Sequence, residues 1–113
     1  MGATNFSNLA IGKFKDSTQA YNEEVEEAHY ESGHDPYNGT ISTTNGFNIV
    51  TDHPRFGTKA FDKWEEKLTD KLDKRDCVCV EVIGAPFKKQ KYNRGYKGMK
   101  GIKMFYFFGW AAE

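Results

Sequence analysis

The sequence has little cysteine and no long apolar run, and both scarcities exclude classes of protein. Two cysteines in 113 residues cannot form a disulfide framework. No segment approaches the ~20 apolar residues that a membrane-spanning helix needs. The first residues, 1–6, lack the basic stretch and apolar run of a secretion signal. We therefore expect an intracellular, cytoplasmic protein without a membrane partner.

Motifs that carry chemistry are also missing. The sequence contains no G-x-S-x-G, no P-loop, no G-x-G-x-x-G and no H-E-x-x-H. Cys77 and Cys79 form a single C-x-C pair, whereas a structural zinc site uses such pairs together with further Cys or His ligands. We predict that both cysteines are small buried hydrophobic residues. We predict no catalytic residue, no metal and no cofactor, so an enzyme is the less favoured class.

Net charge is absent, because sixteen basic residues balance sixteen acidic ones. A neutral total gives no argument for nucleic acid or an anionic membrane as the partner. The charges are nevertheless separated: residues 16–35 hold seven acidic residues and no Lys or Arg, and residues 87–103 hold seven basic residues and no acid. Two interpretations stay open. The segments attract each other, in the fold or between copies, or each faces a separate partner.

Aromatic side chains are abundant, with nine Phe, six Tyr and two Trp available to fill a core. The length predicts a single domain over residues 1–113. Asp16 is a suitable N-cap and Gly33 suits a left-handed helix end, which places a first helix at 17–32. Thr58 is a suitable N-cap for a second, amphipathic helix at about 59–75. We interpret the charges of this second helix as a solvated face.

Strands are predicted from alternation and β-branched content. Residues 1–15 are weakly patterned and predict at most a short edge strand, whereas 77–83 alternates clearly. Asn45-Gly46 between two β-prone runs predicts a hairpin over 40–51. The final run, 102–110, is apolar on both faces, which is typical of a central strand or of one that a partner covers.

These elements predict an α+β fold with the order (β)αββαββ. We expect a mainly antiparallel sheet of four to five strands, with the two helices covering one face. Two helices in so small a chain would then leave the other face of the last strand uncovered. Together with the separated charges, this predicts a homodimer or larger oligomer.

Two segments collect polar or cationic residues without a periodic pattern to explain them. The first is the turn between the first helix and the predicted hairpin. The second is the basic loop, where cations alternate with aromatic residues and glycines, a mixture that suits contact with an anion. The predicted ligand- or partner-binding residues are His34, Tyr37, Asn38, Thr40 and Thr43 of the turn and Lys88, Lys89, Lys91, Arg94 and Lys97 of the loop. A self-satisfied turn and a solvated loop are the structural alternatives.

Three parts of the chain carry a resemblance to known proteins. The segment from Tyr30 to Ile41 has the form Y-E-x-G-H-x-x-Y-x-G-T-I, the chain opens Met-Gly-Ala, and residues 107–111 read F-F-G-W-A. These features resemble a family of small, mostly hypothetical bacteriophage proteins. Ser32 stands where the family pattern leads us to expect Tyr.

The resemblance implies a context in the cytoplasm of a bacterial host. A small phage protein without catalytic motifs is expected to act by binding. It would serve counter-defence or host takeover, by blocking a host protein complex or by sequestering a nucleotide signal. Two alternatives stay open: an accessory protein that binds nucleic acid through the basic loop 87–103, and a small enzyme acting on a nucleotide at His34.

Overall fold

The computed structural model describes residues 2–34, 37–82 and 102–113. Within these ranges the fold is α+β, with a mostly antiparallel sheet and two α-helices. The elements follow one another along the chain as β1 Ala3–Gly12, α1 Ser17–Ser32, a 3₁₀ helix Ile41–Thr43, β2 Asn48–Ile49, α2 Lys59–Lys71, β3 Cys77–Val82 and β4 Lys103–Ala112. The order across the sheet is β1-β4-β3-β2. The predicted fold class is confirmed.

Both helices begin where their capping residues predict. The Asp16 carboxylate accepts a hydrogen bond from the Gln19 N–H at 2.9 Å, and α1 ends at Gly33, whose φ is 84°. The Thr58 hydroxyl accepts from the Phe61 N–H at 3.2 Å. Helix α2 stops four residues before the predicted 75, because Leu72 is already extended and Arg75 takes a positive φ of 75°.

The predicted hairpin at 40–51 is wrong. Thr40 caps a 3₁₀ helix instead, and the hydroxyls of Thr43 and Thr44 donate back to the carbonyls of Thr40 and Ile41 at 2.8 and 2.7 Å. Local Ser and Thr side chains therefore compete successfully with strand pairing. Only Asn48–Ile49 forms a strand, and it pairs in parallel with β3 through the α2 crossover.

The helices lie on opposite faces of the sheet, which corrects the expectation that both cover one face. Tyr21 of α1 packs in a cluster with Cys79 and Phe107. Phe61 of α2 packs in a separate cluster with Val80 and Phe108. Successive residues of a strand point to opposite faces, so both sides of the sheet are buried.

Strand β4 lies between β1 and β3, as its two-sided apolar pattern predicts. Each of its faces is covered by a helix of the same chain. The homo-oligomer stays a prediction, but it no longer has the uncovered face of β4 in its favour. It now depends on the separated charges alone.

Candidate functional site

The predicted polar turn is occupied largely by its own hydrogen bonds. The Asn38 Oδ1 atom accepts from the Thr40 N–H at 3.0 Å and from the Thr40 hydroxyl at 2.6 Å. The Asn38 amide donates to the Gly33 carbonyl at 3.1 Å and to the Ser42 hydroxyl at 3.0 Å. These contacts fit the structural alternative, in which the polar side chains of the turn satisfy one another.

Thr43 fastens the turn to the end of β4. Its side chain is 3% exposed, and its hydroxyl donates to the Thr40 carbonyl and accepts from the buried Ala112 N–H at 2.9 Å. The Gly39 N–H donates to the Ala112 carbonyl at 2.8 Å. Thr43 is thus placed to hold the chain rather than to meet a ligand at the surface.

The remaining predicted residues of the turn lie at the surface. His34 is exposed, and its ring stacks on that of His29 with centroids 4.3 Å apart. The Tyr37 ring lies beside two cations, 5.8 Å from the Lys74 ammonium and 5.3 Å from the Arg75 guanidinium carbon. The basic-loop residues Lys88, Lys89, Lys91, Arg94 and Lys97 lie outside the described residues.

The outer edge of β1 is a second candidate, which sequence reasoning treated only as a weak strand. Strand β1 pairs with β4 over ten consecutive positions, from Ala3 opposite Ala112 to Gly12 opposite Lys103, and the register is continuous. In the described part of the chain no strand pairs with its other side. A long edge strand of this kind is a template for pairing with another chain.

The hydrogen-bonding phase shows which backbone groups face this open edge. The Glu113 N–H donates to the Gly2 carbonyl at 3.2 Å, so Gly2 and every second residue after it bond toward β4. The backbone of Trp110, opposite Asn5, confirms this phase because it bonds to Arg75 and Asp76, away from β1. The residues with outward N–H and C=O groups are therefore Ala3, Asn5, Ser7, Leu9 and Ile11.

Strand β1 carries none of the features that commonly protect an edge. Its sequence, ATNFSNLAIG, contains no charged residue and no proline. Natural edge strands are usually short, charged, bulged or interrupted by proline. The opposite edge, β2, is two residues long and so is protected by its shortness. Because 28% of the chain is charged, a run of ten residues without any charge was the sequence signal that could have identified this edge strand.

Carboxylates line a groove between β1 and α1 on one face of the sheet. A cavity of about 640 Å³ is lined by Glu23, Glu24 and Glu27 of α1, by the end of β1 and by Lys13, which follows β1. A neighbouring cavity of about 230 Å³ adds Glu31. The Asn8 amide donates to the Glu24 carboxylate at 3.1 Å, which ties the helix to the strand. We call these two cavities together the α1 groove.

A second acidic groove lies on the opposite face, between β1 and α2. This α2 groove has a volume of about 380 Å³, and Asn5 and Trp110 line it from the sheet. The residues that line it from α2 are Asp62, Glu65, Glu66, Thr69 and Asp70, without any of the lysines of that helix. The Trp110 indole N–H donates to the Thr69 carbonyl at 2.8 Å, which fixes the helix at this distance from the strand.

Helix α2 therefore sorts its charges by face. Residues four apart follow one row along a helix, so the carboxylates at 62, 66 and 70 form one stripe and the lysines at 59, 63, 67 and 71 form the neighbouring stripe. Only the acidic stripe is turned toward β1. The interpretation of these charges as an undifferentiated solvated face missed this arrangement.

Burial and like charge both act on the groove carboxyls. Burial raises the pKa of Glu24, and the neighbouring Glu27, Glu23 and Glu31 raise it further. Burial also raises the pKa of Glu65, and Asp62 adds to the effect, while the Tyr106 hydroxyl donates to Glu65 at 2.7 Å. A cation placed in either groove would relieve this repulsion.

The two cysteines are buried, as predicted. Cys77 is 2% exposed and Cys79 is fully buried. Burial raises the pKa of the Cys77 thiol and raises that of Cys79 to about 12. Neither thiol is therefore a thiolate nucleophile near neutral pH.

Comparison of this chain with models of protein families, with curated proteins and with solved structures found no match. Among the described residues, no helix combines the length and the apolar character that crossing a membrane requires. The same residues contain no cluster of three or more His, Cys, Asp or Glu side chains able to hold a metal ion.

Proposed function

We propose that this chain is a phage-type counter-defence or host-takeover protein that acts by binding, and that it blocks a host protein by adding one of that protein's strands to the β1 edge. The observation that carries the proposal is the ten-residue unprotected edge strand. Strand addition uses backbone hydrogen bonds for affinity and flanking pockets for specificity. The β1 edge supplies the backbone hydrogen-bonding groups, and the α1 and α2 grooves supply the flanking pockets.

Two further observations support a protein partner over a nucleotide. The side-chain amide of Asn38 and the hydroxyl of Thr40, which we predicted to bind a ligand, are engaged within the turn. Both grooves beside β1 are lined by carboxylates, which repel phosphate. The phage context depends on the resemblance of the Tyr30–Ile41 motif and of residues 107–111 to small phage proteins.

The test compares two substitutions at one position of β1. Ser7→Pro removes an outward N–H that makes no bond to β4, so it closes the edge to a new strand while it keeps the ladder inside the sheet. Ser7→Ala is the matched control, because both variants lose the Ser7 hydroxyl but only alanine keeps the N–H.

Each variant is used as bait in a bacterial lysate, and recovered complexes are analysed by light scattering and mass spectrometry. We expect the parent and Ser7→Ala to recover the same host protein at a fixed stoichiometry, and Ser7→Pro to lose it. Equal recovery by Ser7→Pro would refute docking at the β1 edge. Recovery of a nucleotide with no protein would refute the protein partner altogether.

A further inference from the structure

We infer that the strand which docks on β1 is basic on both of its faces, with Lys or Arg at adjacent positions. This inference rests on the proposed function, since it names the chemistry of the partner at the same edge. It follows from the position of the two acidic grooves on opposite faces of β1.

The geometry of strand addition leads to this pattern. A strand added to β1 would lie about 4.8 Å from it in the plane of the sheet. Its side chains would alternate between the two faces, so that odd positions enter one groove and even positions enter the other. Positions of the added strand beside Asn5 would therefore meet the carboxylates of α2 on one face, and positions beside Phe6, Asn8 and the end of β1 would meet those of α1 on the other.

The acidic residues are concentrated on this side of both helices. The larger cavity of the α1 groove is lined by three carboxylates, Glu23, Glu24 and Glu27, against one cation, Lys13, and α1 itself contains no Lys or Arg. The α2 groove is lined by the acidic stripe of a helix that carries its lysines elsewhere. Complementary charge across such an edge raises the association rate and excludes partners of the wrong sign.

The same charges argue against a second copy of this chain as the occupant. Pairing of β1 with β1 about a two-fold axis would place the α1 helices of both copies on one face of the continuous sheet. Carboxylates such as Glu23 and Glu27 would then face each other across the interface, and like charges in that position are destabilising.

The probe is a pair of ten-residue peptides with blocked ends and identical composition apart from charge. One carries four lysines as two adjacent pairs, which places two cations on each face, and the other has glutamine at those four positions. Binding is measured by isothermal titration calorimetry at low and at physiological salt. We expect the lysine peptide to bind, the glutamine peptide to bind about tenfold or more weakly, and salt to reduce the difference.

Charge reversals test the two grooves separately. Glu23→Lys with Glu27→Lys changes the α1 groove, and Glu66→Lys with Asp70→Lys changes the α2 groove. All four residues are exposed, so folding should be retained, and far-UV circular dichroism verifies it. Each pair of reversals should weaken the lysine peptide about tenfold. Glu26→Lys is the matched control, because Glu26 is an exposed α1 residue outside both cavities, and it should have little effect.

The outcomes separate this inference from the proposed function. If Ser7→Pro abolishes peptide binding and the reversals do not weaken it, the edge docks a strand and the basic partner is wrong. If Ser7→Pro binds the lysine peptide as the parent does, attraction to the acidic surface alone explains binding and both proposals fail. A dimer of the parent that Ser7→Pro dissociates would overturn the assignment of a foreign strand in favour of a second copy.

Discussion

Replacement of Thr43 by valine tests whether the polar turn is a structural element. The Thr43 hydroxyl bonds to the Thr40 carbonyl at 2.8 Å and to the buried Ala112 N–H at 2.9 Å. Valine has nearly the same shape but neither donor nor acceptor. A buried N–H without a partner costs about 1–3 kcal/mol and the second lost bond about 1 kcal/mol. We expect the free energy of unfolding to fall by about 2–4 kcal/mol.

The measurement is urea denaturation with thermal unfolding of the parent, Thr43→Val and Thr43→Ser. For a domain of this size the loss corresponds to a Tm that is lower by about 10–20 °C. Thr43→Ser keeps the hydroxyl and removes one methyl group, so its expected loss is about 1 kcal/mol. If Thr43→Val unfolded like the parent and yet lost the host partner, Thr43 would be a binding residue. Our assignment of the site to β1 would then be refuted.

Three further predictions concern the core and the groove carboxyls. Gly109→Ala should lose stable folding by circular dichroism, because a Cβ there would clash with the Asp76 carbonyl oxygen; a native melting curve would contradict this close approach. Cys77 and Cys79 should resist a thiol reagent at about pH 8 until denaturant is added, because burial raises both thiol pKa values; rapid labelling of the native protein would be the opposite result. Burial raises the pKa of Glu24 and Glu65 in the folded state, so the folded chain binds protons more tightly than the unfolded chain. The free energy of unfolding should therefore rise as pH falls from neutrality through the raised pKa values. Urea denaturation across pH should show a smaller rise for Glu24→Gln, and an unchanged profile would exclude Glu24 as a contributor.

The parts of the fold that sequence reasoning predicts are those that local chemistry determines. Asp16 and Thr58 begin helices because each side chain bonds to a backbone N–H of the first turn. The central position of β4 follows from its aromatic residues on both faces, which need cover on both sides.

The hairpin failed because local and long-range bonds compete for the same backbone groups. Asn45-Gly46 favours a tight turn, but the Asn45 N–H donates to the Arg75 carbonyl and the Gly46 N–H donates to the Tyr21 hydroxyl. Tyr21 lies on another element, 25 residues away in the chain. The local sequence pattern around Asn45-Gly46 therefore could not predict that Tyr21 would bond to this turn.

Only part of the candidate site could be predicted from the sequence. The acidic segment 16–35 was apparent, and Glu23, Glu24, Glu27 and Glu31 within it line the α1 groove. The weak alternation in 1–15 predicted at most a short edge strand, whereas β1 is ten residues long. Its length and its open side were not predicted, because they depend on the pairing with β4 and on the strand order of the whole sheet. The acidic stripe of α2 belongs to the candidate site because it lies beside Asn5 of β1, and the sequence alone does not show that the two are close.

Amide hydrogen exchange along β1 tests the central claim most directly. Spectra recorded with and without the two-faced lysine peptide would follow each backbone N–H of Ala3–Gly12 separately. We predict new protection at Ala3, Asn5, Ser7, Leu9 and Ile11, whose N–H groups face the open edge, and little change at the residues between them, which already bond to β4. Protection that appears in the turn at residues 37–44, with β1 unchanged, would contradict the account.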